Sequence, residues 1–422
     1  MIYVILLFAC LLFSLLIMVK DRQARLMVFL IGITFVPYGF TLSDKLMGPR
    51  IMLFAFIASV LLRGSQVVQL SKMPYAGVLG IVFAAHLLTG IADQRVGLMA
   101  GVVKALVVFS QSFGGILLGY VSYSSSRQCR DKHFLRCLLK LSLLVGLYSA
   151  FCLMIHADPV SSAIGDTDSM LPGERTRVAS FFYNSHVAGF AMSVYLLLLL
   201  YFRQKYKFTL SQNATIGLLF VALLLTASRS SLLDFMAGCL VLYTPYLFKR
   251  SGKLKYWCVS LLVVGALYLT IGDLVLDKFA DAFKDDGGEV GGSTIGLRLQ
   301  QLYFSYYLFL KNPLYGNGFN YFWEVVKVKD HYLSDMLLGA ESYVFILLIE
   351  RGLIQIITIT LYFVCLFRFF LRRLCRESFL CMAILTAFLV NSLVTGNLNK
   401  WIFAMPFIGY YMKYVQLYIK KK

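Results

Sequence analysis

Charge is what this sequence has least of. Only 14% of its residues are Asp, Glu, Lys or Arg, against 59% that are hydrophobic, whereas soluble domains carry about 25% charged residues. The mean hydropathy of +0.75 points the same way, so an ordinary soluble domain is excluded. Acids are scarcer than bases, at 21 Asp and Glu against 40 Lys and Arg, for a net charge of +19. In a soluble protein that surplus would suggest a nucleic-acid partner; here its distribution argues against one. None of the nine cysteines lies in the polar segments 158–186 or 272–341, and no spacing suits a disulfide framework or a zinc site. No cleavage-site pattern follows the first apolar run, which predicts a retained helix. An internal repeat, the usual building plan of a secondary transporter, is also missing.

What is present is apolar length. About thirteen runs can cross a bilayer core as helices, where the backbone must satisfy its own hydrogen bonds. They lie near 2–18, 27–42, 50–63, 74–92, 97–121, 137–157, 187–203, 211–227, 231–248, 256–272, 342–367, 378–396 and 402–418. Basic residues sit in the short connections, at Lys20/Arg22/Arg25, Arg63/Lys72, Arg127/Arg130/Lys132/Arg136, Arg203/Lys205/Lys207, Lys249/Arg250/Lys253/Lys255, Arg368/Arg372/Arg373/Arg376 and Lys420–Lys422. With thirteen spans all of these fall on one side, the cytoplasmic one by the positive-inside rule, and the N-terminus is outside. Loss of the short 50–63 span would reverse the N-terminal part and leave the C-terminal half as it is. The expected class is therefore an all-α polytopic membrane protein with about 12–13 transmembrane helices.

The other side receives 158–186 and 273–341, flanked by helical segments 1–157, 187–272 and 342–422. From Asp273 to Glu341 ten acids face six Lys or Arg, so the large loop is acidic while the chain is basic. Within it, Lys284 to Ser293 has linker composition. Ile295 to Lys311 carries apolar residues at helical spacing, as expected of a helix along a membrane surface. Asn312-Pro313 ends that helix, because proline disfavours helical backbone in the residue before it. Gly316 and Gly318 then allow a tight turn.

Four runs follow one another in a telling order: Arg177-Val-Ala-Ser180-Phe-Phe182-Tyr-Asn184-Ser185-His186; Thr226-Ala-Ser228-Arg229; Arg298 ahead of Pro313-Leu-Tyr-Gly316-Asn-Gly318; and Glu341-Ser342 opening a helix with Glu350-Arg-Gly352-Leu-Ile354. Together, over about residues 175–360, they resemble the O-antigen ligase/polymerase family. That family tends to show an Arg-x-x-Gly-x-Phe-x-Asn-Pro-Asn run, a Thr-x-Ser-Arg run, an arginine preceding a Pro-Leu-x-Gly-x-Gly turn, and a helix containing Glu-x-Gly-Leu-Ile. Arg177, Phe182 and Asn184 match the first run, while Ser180, Ser185 and His186 replace its Gly, Pro and second Asn.

The resemblance implies a GT-C-like membrane glycosyltransferase in a bacterial inner membrane, with its active loops periplasmic and no metal or other cofactor. The implied donor and acceptor are undecaprenyl-diphosphate-linked oligosaccharides, with a chain-length regulator and a flippase as candidate partners. Ligases of the family carry a His-Asn-type pair at the head of the last-named helix; here that position reads Glu341-Ser342, which favours a polymerase. A flippase or exporter of lipid-linked oligosaccharide is the rival from another class, and should carry its charges along a central cavity.

Breaking a sugar–diphosphate bond leaves negative charge on the diphosphate, so preplaced cations stabilise the transition state. Arginine suits this because its planar fork is always charged and grips phosphate oxygens in pairs. Arg177 and Arg298 are the principal candidates, with Arg229 and Lys104 as further diphosphate ligands; the competing reading for each is an interfacial cation touching lipid. Glu341 is the candidate base for the acceptor hydroxyl, against a plain role as a helix N-terminal acid. His331 and His186 are weaker base candidates. Asp234 is a candidate partner for Lys104 or Arg229, and His86 and Asn391 read as interhelical hydrogen-bonding groups.

Overall fold

The computed structural model describes residues 11–12, 15, 18–36, 41–43, 46–62, 67–123, 129–160, 178–182, 184–248, 295–329, 333, 337, 342–395 and 400–419. Its principal helices are α1 (Arg22–Phe35), α2 (Gly48–Leu61), α3 (Ala76–Ala92), α4 (Leu98–Ser122), α5 (Cys129–Ile155) and α6 (Ser185–Lys205). Then come α7 (Leu210–Leu225), α8 (Arg229–Phe248), α9 (Ile295–Lys311), α10 (Tyr343–Leu371), α11 (Arg376–Val394) and α12 (Trp401–Ile419). The strands among the described residues form one small antiparallel hairpin, Thr41–Ser43 with Leu46–Met47. Five helices (α4, the Asp131–Ile155 part of α5, α6, α10 and α11) are long and apolar enough to cross a membrane. Shorter apolar helices stand at Ile51–Leu61, Ala76–Ala92, Leu210–Leu225 and Ser230–Pro245. The chain is an all-α polytopic membrane protein. The expected span near 256–272, most of that near 2–18, and the Lys284–Ser293 linker lie outside the described residues.

The core is built around α6, whose residues from Val187 to Leu199 are all buried. Helices α5, α7, α8, α11 and α12 pack on it. Asn184 starts α6 as its N-cap, accepting hydrogen bonds from the backbone N–H groups of His186 at 2.9 Å and Val187 at 3.3 Å, two of the donors that a helix start leaves without a partner. At the other end of α6, Lys205 meets Asp131 at 2.7 Å and Tyr201 donates to Glu377 at 2.7 Å. The first of these bonds ties down the start of α5. That helix begins at Cys129, eight residues before the expected span, because the intervening arginines, lysine and leucine favour helix. Helices α4 and α12 approach closely where Gly119 lies against the Pro406 backbone, the small-residue packing common between membrane helices.

Helix α9 forms where its periodicity predicts and ends at Lys311, before Asn312-Pro313. It belongs to a second, smaller core in which Leu308 packs with Phe322, Val326, Phe345, Ile346 and Ile349. Phe322–Val326 is a π-helical turn. Large parts of the 273–341 segment are thus folded onto α10.

Candidate functional site

Helix α10 does not run unbroken. A π-helical turn at Leu347–Arg351 leads into Gly352, whose φ of 67° and ψ of 180° leave the helical region altogether. With α10 starting after Ser342, the break lies about 13 Å along the helix at 1.5 Å per residue. Broken backbone inside a membrane bundle is tolerated only where protein takes up its polar groups. Here the 312–318 turn does so. The N–H groups of Leu353 and Ile354 donate to the carbonyls of Pro313 (2.8 Å) and Leu314 (3.2 Å), and Gly318 N–H donates to the Glu350 carbonyl (3.0 Å). Asn317 Nδ2 donates to the carbonyls of both Leu308 (2.9 Å) and Ile349 (2.7 Å), closing the turn on α9 and α10 together. Gly316 and Gly352 make this approach possible: a Cβ on either would strike the other segment's backbone, and both have positive φ.

A second assembly joins the segment before α6 to the connection between α7 and α8. Val178 N–H donates to the Leu225 carbonyl at 3.1 Å, while Asp158 accepts from Ala179 N–H at 3.2 Å and from Tyr148 Oη at 3.1 Å. His186 Nδ1 lies 3.0 Å from Ser228 Oγ, which in turn reaches Ser231 Oγ at 2.9 Å and Ser230 Oγ at 3.1 Å. Ser180, which replaces the glycine of the family's first run, sits at φ +54°, in the left-handed region that favours glycine. Ser185 stands at the first helical position, where the family's proline would be tolerated because its missing N–H has no helical partner anyway.

These two assemblies place the quoted motifs in physical contact, and one comparison accords with that geometry. Residues 214–359 match the family model described as O-antigen ligase. Over that segment, about a third of the chain, the protein is similar to the O-antigen ligase family. The matched segment runs from α7 through the 312–318 turn into α10, just past the break, and leaves out the Arg177–His186 run. No curated protein gives a significant match.

With that similarity, the placement of the charged residues bears on the chemistry. Arg298 stands half-buried on α9. Arg229 opens α8, directly after the Ser228 cluster; its side chain, like Arg177, Glu341 and His331, lies outside the described residues. Lys104 does not stand alone in its helix: its Nζ lies 2.8 and 2.9 Å from the two carboxylate oxygens of Glu324, on the π-turn. Arg95 extends the network, gripping Asp93 with Nε at 2.8 Å and Nη2 at 2.7 Å, approaching Glu324 at 3.6 Å, and donating to the Phe319 carbonyl at 3.2 Å. Asp234 is not the partner of Lys104, which Glu324 holds. The Asp234 carboxylate accepts from Asn391 Nδ2, and Lys400, which donates to Thr395 Oγ1, supplies the nearby positive charge. Burial holds the Lys400 ammonium below the usual lysine range, against the opposing pull of that carboxylate.

Sequence reasoning passed over Arg351, which is fully buried at the break in α10. Its Nη1 donates to His86 Nε2 at 3.3 Å, and His86 Nδ1 donates to the Val82 carbonyl at 2.8 Å, since a carbonyl only accepts. The guanidinium lies over the rings of Phe319 and Tyr343 at 5.4 and 5.6 Å, within cation–π range. Its Nε and Nη2 have no hydrogen-bond partner among the described residues. Beside it, Glu350 is buried as well, at 3% exposure. The signal was legible: a Glu-Arg pair in the middle of an apolar run is costly in a membrane and marks a functional or architectural position.

Proposed function

We propose that the chain is a polysaccharide polymerase, joining undecaprenyl-diphosphate-linked repeat units at the periplasmic face of the inner membrane. In this reaction an acceptor hydroxyl oxygen attacks the anomeric carbon of the donor chain. The bond from that carbon to the diphosphate breaks, and its electron pair leaves with the diphosphate. The hydroxyl proton passes to a base, for which Glu341 is the candidate. Arg177 and Arg298 are assigned to the two diphosphates, where fixed charge stabilises the leaving group. Inversion and independence of metal follow from the family resemblance. A chain-length regulator and a flippase are the proposed protein partners.

The O-antigen ligase family match over 214–359 carries the class of reaction. The head of α10 favours the polymerase within that class. It reads Glu341-Ser342-Tyr343, with Ser342 capping the helix through the Val344 N–H at 3.2 Å, and it lacks the histidine that the ligases resemble one another in carrying. The ligase reading is equally compatible with the family match itself.

The deciding experiment is a surface-glycan gel of a deletion strain, with analysis of its undecaprenyl-linked intermediates. A lipid A core bearing single repeat units is the expected result. Full-length polymer stranded on undecaprenyl diphosphate, with bare core, would establish the ligase instead. Bare core, with the lipid-linked repeat unit trapped on the cytoplasmic side, would point to the exporter.

A further inference from the structure

Helix α9 is polar on the side it buries and apolar on the side it exposes. Gln301 and Ser305 are fully buried and Arg298 is half-buried, while Leu299, Tyr303, Tyr306 and Leu310 are exposed. The steps of three and four residues put 298, 301 and 305 on one face, and α9 packs against the first part of α10. Leu308 continues the face into the small apolar core with Phe345 and Ile349. The polar part of this face therefore runs from Arg298 to Ser305 and stops short of Leu308. In a membrane protein, polar side chains turned inward from an apolar outer face mark substrate paths.

Two of those inward groups, Gln301 and Ser305, lack partners among the described residues. Among the described residues, neither amide atom of Gln301 nor the Oγ of Ser305 makes a hydrogen bond. Further along the same interface, the Asn317 amide nitrogen serves two carbonyls at once, so this contact supplies partners where the architecture needs them. A buried amide with both ends unmet is destabilising by the water it has given up. At 1.5 Å per residue, Gln301 and Ser305 lie about 4.5 and 10 Å along the helix from Arg298.

We propose that Gln301 and Ser305 are specificity-determining residues that hydrogen-bond the saccharide of the lipid-linked substrate. Hydroxyl or acetamido groups meet the Gln301 amide and the Ser305 hydroxyl while Arg298 holds the diphosphate. This rests on the glycosyl-transfer reading above. An amide and a hydroxyl each both donate and accept, as sugar hydroxyls do. Being neutral, they read the sugar and contribute nothing to charge on the diphosphate. The saccharide runs from Arg298 towards Leu308, between α9 and α10.

The test uses the full chain in nanodiscs and two probes: undecaprenyl diphosphate alone, and the lipid-linked repeat unit extracted from the deletion strain. Gln301→Met keeps the volume and removes both hydrogen-bonding ends; Ser305→Ala removes the hydroxyl. Gln301→Met should weaken binding of the sugar-bearing lipid about tenfold, and Ser305→Ala about threefold, the scale of one or two neutral hydrogen bonds. Binding of undecaprenyl diphosphate should not change in either, and the melting temperature should hold or rise, because an unmet buried group has gone. Normal affinity of both variants for the sugar-bearing lipid overturns the proposal, and so does an equal loss for both probes, which marks a merely structural effect. Should Gln301→Met fail to accumulate, Ser305→Ala and Gln301→Asn decide by the same ratio of affinities. Failure of the unaltered chain to bind either lipid would instead bring down the glycosyl-transfer reading.

Discussion

The 312–318 turn and the buried face of α9 sit on the same helix, α10, and treat polar groups in opposite ways. Where the turn meets the break in α10, the exposed backbone donors of Leu353 and Ile354 and the Glu350 carbonyl are all taken up. Seven residues before the turn, Ser305 and then Gln301 are buried with no partner among the described residues. The first region is architecture: its glycines and its asparagine exist to let two backbones touch. The second has no architectural reason to be polar, since leucine would pack there at lower cost. Motif strength and chemical role are therefore distributed differently along this chain. The residues most recognisable in sequence hold the frame, and less recognisable neighbours carry the unmet hydrogen-bonding capacity.

The sharpest way to break the architectural half is Gly352→Ala. A φ of 67° with ψ of 180° belongs to a region that only glycine occupies readily, and the added Cβ would strike the Gly316 nitrogen and the Leu314 carbonyl. We expect a loss of about 3 kcal/mol or more, seen as failure to accumulate or a collapsed melting transition in detergent. A near-normal melt would mean the break in α10 is not held by this contact. On the chemical half, Arg298→Ala should lower turnover by roughly 10²- to 10³-fold, the scale of losing one preorganised donor to a developing charge. Arg298→Lys should also be impaired, because a point charge cannot replace the fork. Polymer of ordinary length from both variants would remove Arg298 from the mechanism.

The all-α membrane class was legible in the chain because apolar length is read directly from the sequence. Helix α9 and its end at Asn312-Pro313 followed from periodicity and from the constraint that proline places on its neighbour. What could not be read was pairing. Nothing local to Pro313-Leu314 says that their carbonyls cap Leu353 and Ile354, some forty residues on. That contact arises only because α10 breaks, and the break is written as a single glycine. Lys104 looked isolated in an apolar helix, yet Glu324 lies 220 positions away in sequence and 2.8 Å away in space. Asp234 likewise finds Asn391, 157 positions away, and not Lys104. Of the candidate site, Arg298, Lys104 and His186 can be placed from their contacts or exposure, whereas Arg177, Glu341 and His331 lie outside the described residues.

Smaller effects test whether the first family run is also architecture. Asn184 caps α6 through two N–H groups, so Asn184→Ala should cost about 1 kcal/mol with turnover per folded molecule preserved. Asn184→Asp, which still accepts, should recover the stability. A specific loss of turnover in Asn184→Asp, at normal stability, would move the residue from the frame to the chemistry.

Ser180 offers the finest distinction, because here the chain departs from the family it resembles. Left-handed backbone costs a residue with a Cβ about 1–2 kcal/mol, and at φ +54° Ser180 also buries an Oγ with no partner among the described residues. Ser180→Gly removes both penalties but frees the unfolded chain, which returns about 0.4–1 kcal/mol. The net expectation is a stabilisation of about 1 kcal/mol, read as a higher melting temperature in detergent. Ser180→Ala separates the two contributions, since it deletes the hydroxyl and keeps the strained Cβ. If alanine stabilises as much as glycine, the buried oxygen was the burden and the backbone was not. If glycine alone stabilises, the family's glycine is explained by backbone geometry. If both lower turnover while raising stability, the serine oxygen is kept for the substrate, and the first run belongs with Gln301 and Ser305 on the chemical side of the comparison.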